Sequence, residues 1–151
     1  MKVIGYQTLE DRDNVDEVET MGPYKCDRRG AWLGHGYYFW DTNREWAHDW
    51  GRNSYERRKL NYIIGQAVIK IDEKIFDLFG NVGHQQDFKE ACELITNDSK
   101  WNKNKQLTVG MVLQFLKNKG FFDYNGIRAN DYPKNVIRVN FAANKGEHTL
   151  I

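Results

Sequence analysis

Gly34-His35-Gly36-Tyr37-Tyr38-Phe39-Trp40-Asp41 is the stretch on which the reading of this chain turns. Two glycines bracket a histidine, and four aromatics and an acid follow. Thr42-Asn43-Arg44-Glu45 then has the Thr-x-x-Glu pattern of a capping box, which predicts a helix start. Glycine lets a ligand approach the backbone closely, and tyrosine offers a flat face with a polar tip. Such a block is costly to keep on a surface without a use, so it predicts a site for a flat ligand.

Working outward, Lys2 to Leu9 predicts a first strand. Glu10 to Arg29 is polar, contains Gly22-Pro23, and reads as a loop with a helical turn. Trp46, Ala47 and Trp50 share one face of the helix after the aromatic block. Tyr62 to Ile71 is a strand in which Ala67, Ile69 and Ile71 alternate with Gln66, Val68 and Lys70. Phe88, Ala91, Cys92 and Ile95 recur at helical spacing, as do Val109, Val112, Leu113 and Leu116, with Gly120 placed to end that helix. Phe121 to Ala129 and Val136 to Phe141 predict two late strands, with a turn at Pro133. The expectation is one α+β domain over residues 1–151, with strands at both ends and helices between them.

Composition narrows the function classes. There are 22 Lys and Arg against 21 Asp and Glu, which argues against a general polyanion binder but leaves room for a local basic patch. The two cysteines, Cys26 and Cys92, are too few for a disulfide framework or a closed zinc site. His35, His48, His84 and His148 show no metal-ligand spacing, so no metal is expected. No run approaches the ~20 apolar residues of a membrane span, so a cytoplasmic protein with no membrane partner is expected. Neither a Gly-x-Gly-x-x-Gly nor a Walker phosphate loop is present, and no Gly-x-Ser-x-Gly elbow occurs. The basic stretch Arg57-Arg58-Lys59 reads as a solvated helix end, with a nucleic-acid contact as the sharper alternative.

The aromatic block resembles the Gly-x-Gly-hydrophobic-Tyr-Phe segment of the ADP-ribosyltransferase superfamily. Within it, the closest likeness is to the poly(ADP-ribose) polymerase and diphtheria-toxin branch and its small bacterial, toxin-like relatives. Those relatives carry Trp-Leu-Gly-His-Gly-Ile-Tyr-Phe-Trp-Glu, and this chain has Trp32-Leu33-Gly34-His35-Gly36-Tyr37-Tyr38-Phe39-Trp40-Asp41. They also have an Asp-Leu pair after an apolar strand, like Phe76-Asp77-Leu78, and a Tyr-Asp-x-Val-Arg stretch, like Tyr124-Asn125-Gly126-Ile127-Arg128. The resemblance implies a split β-sheet with helices around a cleft for NAD, the substrate of a glycosyltransferase reaction. It also implies a macromolecular acceptor, protein or nucleic acid, and a toxin or defence effector that an antitoxin-type partner would neutralise.

Expulsion of nicotinamide from the ribose passes through an oxocarbenium-like state, so the site must hold the ring, fix the ribose and stabilise positive charge. By resemblance, Tyr38 stacks on the nicotinamide, with Gly34, His35, Gly36 and Tyr37 forming the loop around it. Ala47 would pack on the other ring face. Gln7 stands where the family has a ribose-binding His, and Thr8 where it has a Gly; shifting the match by one puts Tyr6 at the His position. Arg128 would meet phosphates. The family's catalytic Glu opens a late strand, but here Asn135 precedes Val136. An amide can bind the ribose and cannot act as a base, so Asp131 is the nearest substitute carboxylate. Two alternatives follow: a catalytically degenerate module that binds NAD or ADP-ribose, and an RNA 2′-phosphotransferase-like enzyme.

Overall fold

The computed structural model describes residues 1–130 and the backbone of 149–150. In chain order the elements are β1 (Lys2–Glu10), α1 (Val15–Met21), β2 (Trp40–Asp41), α2 (Arg44–Ser54), β3 (Tyr62–Lys70), β4 (Ile75–Asp77), α3 (Val82–Thr96), α4 (Val109–Asn118), β5 (Gly126–Asn130) and β6 (Thr149–Leu150). This is a mixed α+β protein. Its chain forms two compact units.

The first unit comprises Met1–Cys26 and Gly36–Asp72, with Leu150. β1 is its central strand. It pairs antiparallel with β3 over its whole length, from Lys2↔Lys70 to Glu10↔Tyr62. On its other side it pairs antiparallel with β2 through Gly5↔Asp41 and Tyr6↔Trp40, and Trp40 pairs in turn with Leu150. The alternation expected in β3 is present: Gln66, Val68 and Lys70 are exposed, while Ala67 and Ile69 are half-buried. α2 covers this sheet at Gly51, where a Cβ would fall 2.5 Å from the Tyr62 ring. The tyrosine hydroxyl is fixed by His48 Nδ1 at 2.9 Å.

The helix start differs from the capping-box expectation. The N-cap of α2 is Asn43, whose side chain accepts a hydrogen bond from the Glu45 N–H at 3.0 Å. Thr42 is turned into the left-handed region, at φ 66°, straight after the two-residue β2. Its hydroxyl donates to the Asp41 carboxylate instead. Asn is at least as good a cap as Thr, so the helix loses nothing by the shift.

The second unit comprises Asp27–His35 and the described part of the chain from Glu73. β4 and β5 pair in parallel through Ile75↔Gly126, Phe76↔Ile127 and Asp77↔Arg128, and α3 and α4 lie in the connection that parallel pairing requires. Phe76, Phe88, Val112 and Leu113 are fully buried and centre the core, with Leu78, Ala91, Val109, Leu116 and Ala129 around them. Thr108 caps α4 through the Met111 N–H. Gly120, at φ 73°, ends it as expected. The strand expected over Phe121 to Ala129 is shorter, however, and runs only over Gly126–Asn130. Phe122 and Tyr124 pack on Phe76 instead, at ring separations of 5.7 and 4.9 Å, and Phe121 is 68% exposed. The expected strand Val136 to Phe141 lies outside the described residues. No helix among the described residues is long and apolar enough to cross a membrane.

Candidate functional site

In the first unit β1 meets the aromatic block through one buried side chain in the second half of the strand. The Gln7 amide Nε2 donates to the carbonyl of Tyr24 at 2.7 Å and to that of Tyr38 at 3.4 Å. Its Oε1 accepts the Tyr24 N–H at 2.8 Å. Gln7 therefore mimics a strand partner for Tyr24 while holding the Tyr38 backbone. The neighbouring Thr8 hydroxyl donates to the Ala47 carbonyl at 2.8 Å and ties the same strand to α2. Gln7 and Thr8 are successive strand residues, so they point to opposite faces of β1: Gln7 binds the Tyr38 backbone and Thr8 binds that of Ala47.

Gly36 lies two residues before Tyr38 in the same unit. Its N–H and C=O both pair with Cys26, at 3.0 and 2.7 Å, which fixes the loop. A Cβ added to Gly36 would meet nothing within 4 Å among the described residues. Tyr38 is half-buried and Tyr37 is 55% exposed, while Phe39 and Trp40 turn into the interior. Ala47 is 0% exposed, so its methyl presents no surface to a ligand. The Tyr24 hydroxyl is buried with no hydrogen-bond partner among the described residues, a polar group whose desolvation is uncompensated.

The remaining expected residues fall in the second unit. Gly34 sits at φ 90°, a conformation that favours glycine, and its N–H closes a turn onto the Ala31 carbonyl at 3.0 Å. His35 is exposed. Arg128 is already engaged: its Nη1 lies 3.5 Å from Asp77 Oδ2, and its guanidinium stands 4.9 Å above the Phe79 ring. Parallel pairing of β4 with β5 makes Asp77 and Arg128 direct neighbours. Asp131 and Asn135 lie outside the described residues.

A polar cluster beside that pair escaped sequence reasoning. The Asp77 N–H donates to His84 Nδ1 at 2.9 Å, which makes Nδ1 the acceptor and places the ring proton on Nε2, 3.4 Å from the Tyr124 hydroxyl. Asp77 Oδ1 accepts the N–H groups of Phe79 and Gly80 at 2.9 and 2.8 Å. The signal was present in Asp77-Leu78-Phe79-Gly80, an acid two and three residues ahead of amides it can cap, but β4 is only three residues long and carries no periodicity. Burial pushes the Cys92 thiol up to about 11, so it is an inert core sulfur rather than a nucleophile. Among the described residues no group of three His, Cys, Asp or Glu could hold a metal ion.

No protein-family model matches the chain, and neither a curated protein nor a solved structure matches it.

Proposed function

We propose that this chain is a small ADP-ribosyltransferase-like protein that binds NAD at the Tyr38 segment and passes ADP-ribose to a macromolecular acceptor. The observation that carries the reading is the Gln7 amide, which locks the Tyr38 backbone, two residues from Gly36, to the first strand. A nicotinamide ring would lie against Gly36 and the Tyr38 face. Both amide atoms of Gln7 are engaged with backbone, so it acts as a positioning residue for Tyr38. The finer fold we propose is the split sheet of that superfamily, supported by a first strand that is central, antiparallel and paired through Gly5 and Tyr6 with Trp40-Asp41 of the aromatic block.

In the reaction the bond from the ribose C1′ to the nicotinamide nitrogen breaks and nicotinamide leaves with the electron pair. The acceptor nucleophile forms the new bond to C1′ and gives up its proton to water. Aromatic and amide groups stabilise the developing positive charge without a base, and a missing general base usually costs about 10²–10⁴ in rate. Asn135, where the family has Glu, therefore favours slow turnover, and the degenerate binding module is the second reading. Incubating the protein with radiolabelled NAD and a cell lysate, followed by separate protease and nuclease digestion, tests the proposal. Label fixed to a macromolecule supports transfer. Measurable NAD binding with no fixed label supports the binding module, and absence of both refutes the site.

A further inference from the structure

The second unit contains an open groove of about 610 Å³ between the loop Asp27–His35 and α4. Its lining is apolar at Trp32, Met111 and Phe115, all of them half-buried. The loop comes so close to the helix that a Cβ on Gly110 would stand 3.1 Å from the Trp32 carbonyl oxygen. On the open side, a Cβ on Gly30 or Gly34 would meet nothing within 4 Å among the described residues.

The stretches of sequence that supply this groove are more basic than the chain as a whole. Residues 27–35 and 98–119, which form the loop and lead into and through α4, hold two arginines and five lysines against Asp27 and Asp98 alone. Arg29 is exposed and lines the groove. Lys119 stands over Phe115, with Nζ 5.8 Å from the ring centroid, so a cation and an aromatic face are presented together. The groove is wide open on one side. A free small molecule gains most from sites that enclose it, whereas a strand gains from successive phosphates along a basic surface and from bases stacked on aromatic faces.

We propose that this groove binds a segment of single-stranded nucleic acid, with bases against Trp32 and Phe115 and phosphates held by Arg29 and Lys119. The inference does not rest on the NAD reading, whose carrying residues Gln7, Gly36 and Tyr38 lie in the other unit. Fluorescence anisotropy with labelled oligouridine of about twelve nucleotides tests it. Binding is expected at about 50 mM salt, weakening roughly tenfold at about 200 mM. The exposed charge reversals Arg29→Glu and Lys119→Glu together should weaken it at least about tenfold, as two lost phosphate contacts imply. Tyr38→Ala and the double variant Arg57→Glu with Arg58→Glu should bind as the wild type does. The proposal is overturned by no binding at low salt, by an equal loss in the Arg57 and Arg58 variant, by duplex bound as tightly as single strand, or by uridine monophosphate competing on a par with the oligomer.

Discussion

The two units of this chain are stabilised in different ways. The second unit buries a continuous apolar core in which Phe76, Phe88, Val112 and Leu113 touch almost no solvent. In the first unit the buried positions include Gln7 and Asp41 as well as Phe39, Trp40 and Ala47, and side chains bonded to backbone do much of the joining. Apolar packing tolerates reshuffling at similar volume, but a buried amide with three backbone bonds fixes geometry and fails when one partner is removed. The candidate ligand site lies in the unit built the second way, as expected where a tyrosine must be held in one position.

The largest effect should come from the apolar core. Leu113→Ala removes a side chain that is 1% exposed and should lower stability by about 2–5 kcal/mol in urea unfolding. A cost well under that range would mean the α4 face is less tightly packed than described. Next comes Gln7→Ala, which strands the N–H and C=O of Tyr24 and one bond to Tyr38. It should cost about 1–3 kcal/mol and also weaken NAD binding. If Gln7 served only the ribose, the variant would lose affinity and keep its unfolding midpoint, and the contrast between the units would collapse. The smallest effect separates two candidate caps. Asn43→Ala should cost about 1 kcal/mol, whereas Thr42→Gly should cost less or even stabilise, because glycine relieves the positive φ. The reverse order would restore the Thr42 capping box.

The contrast also explains what was legible in the sequence. The helical spacing of Val109, Val112, Leu113 and Leu116 marked α4, and all four are buried. The alternation through β3 was equally plain, because periodicity records burial on one face. β4 was invisible: three residues carry no period, and only its parallel partner β5, separated from it by two helices, makes it a strand. The shift of the cap from Thr42 to Asn43 depended on a backbone angle that a capping pattern does not contain. In the candidate site, the glycine-tyrosine block could be picked out as a motif, and Gln7 could be placed beside it. That Gln7 would turn its amide to Tyr24 and Tyr38 could not be read, because those partners lie 17 and 31 residues away. The Asp77–Arg128 pair was hidden for the same reason, since it exists only once β4 and β5 are in register.

The central claim is that the Tyr38 segment holds NAD. Titration calorimetry of NAD into wild type and Tyr38→Ala, with an unfolding curve for each, tests it most directly. The account predicts that wild type binds, that Tyr38→Ala loses detectable binding, and that the variant still unfolds cooperatively as a folded chain. Unchanged NAD affinity in a folded Tyr38→Ala would contradict it, as would a wild type that binds no NAD.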